Sequence, residues 1–178
     1  MTLTEPLSGH GGAVNALSYR RGVGAVLFNS DGLVWVGHRI VKPGQAIENY
    51  WQLPQGGIDD DEEPSEAVLR ELLEETGTDN AEIIAQSDKW LRYDLPTHLQ
   101  GSAWGGQFRG QMQKWFALQY KGLDTDFDLE WDEKPEFDSW RWVSLSELPG
   151  LIVSFKKPIY ECIVDEFSEV PMRIRSQT

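Results

Sequence analysis

Cysteine occurs once in these 178 residues, and histidine and methionine three times each. A single thiol, Cys162, can close no internal disulfide. No histidine stands near it in the sequence to activate it. The expectation is a small buried hydrophobe in a protein of the reducing cytoplasm. Cations are also scarce: Lys plus Arg total 16 against 29 Asp plus Glu, a formal net charge of −13. That balance excludes a general nucleic-acid coat, whose footprint is basic. It leaves room for an enzyme that reaches polyanions through metal, since a bound cation can be the largest local charge in a site. No apolar run approaches the ~20 residues that cross a bilayer, so no membrane partner is expected. The first residues lack the basic-then-apolar order of a secretory signal. His38 and His98 have no second ligand at metal spacing and read as ordinary surface or core residues.

The composition is otherwise that of a globular chain, 40% hydrophobic and 25% charged, with eight Trp. At roughly 150 residues per domain, the length is that of one domain. Residues 1–18 are rich in Gly, Ser, Thr and Ala without periodicity and read as a flexible extension. The domain is expected over 19–170, with 171–178 as a tail. Apolar runs at 23–28 and 33–40 flank Asn29-Ser30-Asp31-Gly32, the signature of a β-hairpin. Residues 42–48 read as a loop, and 50–54 as short and extended. Further strands are expected at 82–87, 89–94, 114–120 and 139–143. The Gly- and Gln-rich stretch 101–113 reads as a flexible loop flanking the substrate. Residues 64–76 form the clearest helix, with Pro64 in its first turn, Gly77 just past its end and an apolar stripe of Ala67, Val68, Leu69 and Leu72. Ile159, Ile163 and Phe167 predict a second helix over 158–167. Strands with interspersed helices make a mixed α/β domain.

Residues 123–138 hold eight Asp or Glu against one Lys, and most read as a solvated loop. The Asp-x-Asp-x-Asp run is not an EF-hand: counted from Asp124, loop position 6, which requires glycine, is Leu129. The acids of the 64–76 helix are arranged differently. Glu71, Glu74 and Glu75 fall within one arc of ~100°. Two like charges ~4 Å apart repel by about 4 kcal/mol at an effective dielectric of ~20, and no lysine interleaves to relieve them. Two readings account for this. One is an exposed acidic face with Arg70 as partner. The other is a face for hard divalent cations, since magnesium binds through carboxylates, waters and substrate phosphates.

The wider spacing decides between them. Gly56, Glu62, Arg70, Glu71, Glu74, Glu75 and Gly77 follow the order G-x5-E-x7-R-E-U-x-E-E-x-G-U, with U aliphatic, which resembles the Nudix box. All seven fixed positions match, a chance agreement on the order of 10⁻⁸ per register at average residue frequencies. Thr78 departs from the pattern, which prefers an aliphatic residue there. The resemblance implies the Nudix fold, a mixed β-sheet sandwiched between α-helices. It also implies a hydrolase that uses Mg²⁺ or Mn²⁺ to cleave a nucleoside diphosphate linked to another group. By the same resemblance Glu71, Glu74 and Glu75 are metal ligands with Gly56 at the metal. Gly56 and Gly57 allow a tight turn and a close approach to ligand. Glu62 orients Arg70 or assists the metal shell, Arg70 ties loop to helix, and Gly77 ends the helix.

Outside the box, YRRGVGAVLFN, YWQLPQGGI, DKWLRYDLP, QKWFAL, PEFDSWRWVS and VSFKKPIY are similar to the RNA pyrophosphohydrolase and plant-type dinucleoside polyphosphate hydrolase subgroup, from about residue 19 to about 167. By that resemblance Glu136 is a further metal ligand or base brought in by a loop. Tyr93 and Phe155 stack an adenine ring. Arg39, Gln52, Lys114 and Lys156 contact phosphates or base, and Arg20 reaches the substrate. Read alone, Glu136 is one more loop carboxylate, the rings are packing, and the cations are surface residues. The implied reaction is attack of water on a phosphorus atom of a phosphoanhydride chain, with Glu71, Glu74, Glu75 and Glu136 catalytic and Glu75 or Glu136 taking the proton. The substrate is a nucleotide or dinucleoside polyphosphate, such as diadenosine tetraphosphate split to ATP and AMP. The competing substrate is the triphosphorylated 5′ end of RNA, met transiently. No stable protein partner is expected. The alternative is a non-catalytic Nudix-fold module that binds a nucleotide without turnover, against which the complete carboxylate set argues.

Overall fold

An apolar run without alternation marks a strand covered on both sides, and residues 23–28 are such a run. The computed structural model describes residues 17–43 and 50–177. Most of the expected extension and of the 42–48 loop therefore lie outside the described residues. The strands are β1 Ser18–Phe28, β2 Val34–Arg39, β3 Trp51–Gln52, β4 Gln55–Gly57, β5 Ala81–Gln86, β6 Leu91–Asp94, β7 Phe108–Tyr120 and β8 Phe137–Val143. The helices are α1 Pro64–Thr76, α2 Thr97–Gln100, α3 Leu148–Leu151, α4 Lys157–Glu166 and α5 Val170–Arg175. They build one mixed sheet in the order β3-β2-β1-β7-β5, with β4 and β6 added on β1 and β7 and with β8 on β2.

Strand β1 separates two cores. Val23, Ala25 and Leu27 pack with Ala67, Val68 and Leu72 beneath α1. Val26 and Phe28 pack with Ile159, Tyr160 and Ile163 beneath α4. The sheet is thus held between helices, as the Nudix resemblance implies. Helix α1 forms where expected: Pro64 opens it, and Gly77 closes it at φ 78° with its N–H on the Leu73 carbonyl at 2.9 Å. Strand β4 pairs antiparallel with β1, Val23 opposite Gly56, which brings the first box glycine beside α1. Thr78, the departure from the box, is buried like the aliphatic residue it replaces. Among the described residues no helix is long and apolar enough to cross a membrane.

Several expectations are corrected. The Asn29 turn forms, its side-chain oxygen accepting from Asp31 and Leu33 N–H, but the two strands pair only beside the turn, Phe28 with Val34. Strand β1 instead runs parallel to β7, and β2 pairs along its length with β8. Residues 108–113 are not loop but the first half of β7, because their inward glutamines find polar partners. Cys162 is exposed, since α4 turns Ile159, Tyr160 and Ile163 inward and leaves it on the outer side. Residues 171–175 are helix rather than tail, and α5 is anchored by buried Val170 and Ile174.

Candidate active site

Arg70 organises the box. Its Nε and Nη2 each donate to one oxygen of Glu62 at 2.8 Å, and Nη2 also donates to the Gly57 carbonyl at 2.9 Å. This two-pronged bond holds the Glu62 carboxyl down at about 2, where it stays ionised. The same guanidinium reaches Glu71 at 3.0 Å and Glu74 at 3.3 Å. Glu62 does not line the main cleft, so it positions Arg70, and Arg70 positions the helix carboxylates.

Gly56 and Gly57 make no turn. They lie extended in β4, and their value is room. A Cβ on Gly56 would sit 2.0 Å from the Glu71 carboxylate, and one on Gly57 would meet the Arg20 guanidinium at 2.3 Å. Glu75 is buried, with one oxygen accepting from the Gln55 N–H at 3.0 Å. Burial, reinforced by the charge of Glu71, holds its carboxyl well above the ordinary range, against the Gln55 bond and the charges of Arg39 and Lys156. Burial also raises Glu71, opposed by Arg70. Two neighbouring carboxylates, both hard to ionise, form a place where a cation is favoured.

Among the described residues no three acidic, His or Cys side chains converge in ready-made coordination. Arg70 compensates Glu71 and Glu74, and Arg39 pairs with Glu136. The donor set fits a hard divalent ion all the same. Glu71, Glu74, Glu75 and Glu136 supply carboxylate oxygens to one cleft, the chemistry that magnesium and manganese prefer.

That cleft has a volume of about 460 Å³. Of the residues singled out in the sequence, Arg39, Gln52, Gly56, Glu71, Glu74, Glu75, Tyr93, Glu136 and Lys156 line it, together with Arg20. Lys156 donates to the Gln52 side chain at 3.1 Å. Desolvation first, then Arg39, lowers its pKa to about 8, against the pull of Glu75. Tyr93 and Phe155 come together, 5.8 Å apart and tilted by 49°. The two rings touch, so they leave no open slot between them. Lys114 is not brought in. Its ammonium bonds the Ser87 carbonyl and reaches that of Asp88. The reason is strand period: Gln111 and Gln113 are buried on the inner face of β7, which turns Met112 and Lys114 to the other. His38 pairs with Asp138 at 2.7 Å, away from the cleft.

The sequence reading missed Gln55, Trp104 and Gln111, all of which line the cleft. Gln111 accepts from the Tyr93 hydroxyl at 3.0 Å, and Gln113 donates to Gln55 at 2.5 Å. Their spacing of two along a strand is the signal that would have found them.

The NUDIX domain pattern matches residues 18–162. The chain is 52% identical over 155 residues to an RNA pyrophosphohydrolase of Gluconacetobacter diazotrophicus, covering 85% of this chain and 93% of that one. It is 48% identical over 168 residues to an RNA pyrophosphohydrolase of Rhodospirillum rubrum, covering 94% and 95%. Among solved structures it resembles the MutT protein from Methanosarcina mazei Go1, with a TM-score of 0.60 at 22% identity over 84% of this chain and 96% of that one.

Proposed function

The chain belongs to the NUDIX domain family, and from that premise we propose a divalent-metal-dependent pyrophosphohydrolase whose main substrate is the triphosphorylated 5′ end of RNA. The observation that carries the substrate is about 50% identity with RNA pyrophosphohydrolases along most of this chain and nearly all of theirs. The cleft supports the chemistry. Arg20, Arg39 and Lys156 line it and bind the polyphosphate oxygens, the arginines in bidentate fashion. Glu71, Glu74, Glu75 and Glu136 would hold Mg²⁺ or Mn²⁺, which when bound neutralises phosphate charge and activates water.

Glu75 is suited to accept the water's proton, because burial has already raised its pKa toward the working range of a general base. Glu136, carried on the loop before β8 and held by Arg39, is the second candidate. Tyr93 receives the nucleoside. Dinucleoside polyphosphates are the second substrate reading, since they present the same nucleotide on a polyphosphate chain to the Tyr93 side of the cleft. Both substrates are cytoplasmic, which sets the proposed compartment.

Product analysis with purified protein and magnesium tests this, using triphosphorylated RNA and diadenosine tetraphosphate in parallel. The expected result is a higher kcat/KM for pyrophosphate release from RNA than for ATP and AMP formation. The reverse ranking makes the enzyme a dinucleoside polyphosphate hydrolase. Nucleotide binding without metal and without turnover of either substrate would leave a binding module and defeat the proposal. Glu74→Gln and Glu75→Gln are expected to lower kcat by orders of magnitude in a folded protein.

A further inference from the structure

Gln52, Gln55 and Gln111 line the cleft. A primary amide has two unlike ends, an acceptor oxygen and an amino group with two N–H donors. Which end faces an anion decides whether the wall attracts or repels it. In all three residues the oxygen is already taken by a protein donor. The Lys156 ammonium donates to the Gln52 oxygen at 3.1 Å. Gln113 donates to the Gln55 oxygen at 2.5 Å and to the Gln111 oxygen at 3.3 Å. The Tyr93 hydroxyl gives the Gln111 oxygen a second bond at 3.0 Å.

The amino groups are left over. Among the described residues none of the three donates to a protein acceptor. The buried polar atoms without a partner there are Trp35 Nε1, Arg39 Nε and Trp115 Nε1, so the glutamine amino groups reach the opening that these residues line. A Cβ on Gly22 would meet the Gln111 amino nitrogen at 2.5 Å and the Gly56 carbonyl at 2.6 Å. That sets this amino group beside a glycine of the cleft wall. Gln52 and Gln111 are 2% and 1% exposed, so protein surrounds each side chain and holds its orientation.

Gln113 does not line the cleft. It is 1% exposed and shares the inner face of β7 with Gln111, two residues away. Its amino group has two N–H donors, and both are spent, one on each neighbour. One buried amide thus sets the direction of two others.

We propose that Gln113 is a positioning residue: it holds the amino groups of Gln55 and Gln111 toward the cleft, where with that of Gln52 they donate to the oxygens of a polyphosphate chain. The proposal rests on the polyphosphate reading above. It applies to RNA 5′ ends and dinucleoside polyphosphates alike, because it concerns phosphate oxygens alone. A hydrogen bond to an ionised oxygen is roughly twice as strong as one between neutral groups. A neutral donor is also not drawn into ion pairs with the acids beside it, as Arg39 is with Glu136 and Arg70 with Glu71. Turned over, the same amides would set carbonyl oxygens against phosphate oxygens.

The test uses the full chain with magnesium, with triphosphorylated RNA and diadenosine tetraphosphate as substrates. Inorganic tripolyphosphate, which carries no nucleoside, is the competing ligand. Gln113→Met keeps an unbranched apolar chain that fills the site and removes both donors. The KM of each substrate that wild type cleaves, and the Ki of tripolyphosphate, are expected to rise about tenfold. The kcat stays within about twofold, since contacts made alike in ground and transition states cost binding alone. The same substitution is then made in Gln55→Met/Gln111→Met protein. No amide is left there for Gln113 to orient, so KM and Ki change by less than about twofold. Gln55→Met alone, at a half-buried position, reads one amino group without disturbing the buried site and should raise Ki about fivefold. Tripolyphosphate that does not inhibit wild type, an unchanged Ki in Gln113→Met or Gln55→Met, or an equal rise with Gln113→Met in both backgrounds, each overturns the proposal while wild-type turnover stands. Wild type that cleaves neither substrate overturns the function reading and this proposal together.

Discussion

Glu75→Gln sets stability against function at a single atom. Glu75 is 8% exposed, and its carboxylate accepts a hydrogen bond from the Gln55 N–H. Burial and the Glu71 charge raise its pKa well above the ordinary 4.5. An acid whose pKa rises on folding binds its proton more tightly in the folded state. Its ionisation therefore costs stability, beginning as pH climbs past the unfolded value and growing until the folded pKa is passed. Each unit of elevation is worth about 1.4 kcal/mol. Glutamine keeps the oxygen that Gln55 needs and removes the charge. In metal-free protein at about pH 8 the variant should be the more stable of the two, with the higher Tm. Near pH 4.5 the two proteins should melt almost together. Saturating magnesium should raise the Tm of wild type more than that of the variant, since a ligand at 100 times its Kd adds about 2.7 kcal/mol to the protein that binds it. Thermal unfolding followed by circular dichroism, at both pH values, with chelator and with magnesium, reads every case. A metal-free variant no more stable than wild type at about pH 8, or stabilised equally at both pH values, would refute the reasoning.

Three further outcomes are expected. Gly56→Ala places a methyl group 2.0 Å from the Glu71 carboxylate, so Glu71 must move. A shift of about 1 Å at a group that acts in the reaction costs about 100-fold in kcat, and near-normal turnover would remove Glu71 from the proposed catalytic set. Lys156 titrates at about 8, so the cleft loses a cation as pH rises through that value and KM for the polyphosphate should climb about tenfold. Lys156→Arg should hold KM flat to higher pH, and an unchanged alkaline limb in that variant would count against the role. Ile174→Ala, at a position 1% exposed, should cost about 2–4 kcal/mol. Met172→Ala, at a position 59% exposed, should stay within about 0.5 kcal/mol of wild type, and equal denaturation midpoints for the two variants would mean that α5 is not docked.

What could be read in the sequence follows from how locally each feature is determined. Helix α1 was legible residue by residue because proline, glycine and an apolar stripe act within a turn or two of where they stand. The box was legible because its residues recur at fixed steps on and just before one helix, so reading them needs no distant partner. Strand β7 was not legible over residues 108–113, since Gln111 and Gln113 satisfy each other's surroundings through Tyr93 and Gln55. A strand with a polar interior has the composition of a loop. Lys114 was misjudged for a related reason: one step along a strand is the opposite face, and the register of β7 is set by β1 and β5, far away in sequence. Cys162 was placed by residue type where helix phase decides. Val170 and Ile174 carried a one-turn signal, too short to stand out from a tail.

The charge arrangement around α1 explains how the fold tolerates such a cleft. Glu75 and Glu71 are raised by folding, so their ionisation weakens the fold as pH climbs above the ordinary carboxylate range. Glu62 moves the other way, down to about 2 through its bond to Arg70. A carboxyl lowered on folding contributes stability that is fully present above its unfolded pKa and lost as pH falls toward the folded value. The Arg70–Glu62 clamp is therefore complete at every pH where the helix carboxylates begin to repel. Arg70 also bonds Glu71 and Glu74 directly. One guanidinium thus both offsets the cost of the carboxylate face and keeps it aimed at Gly56. This is why a positioning arginine belongs in the same eight residues as the acids it positions.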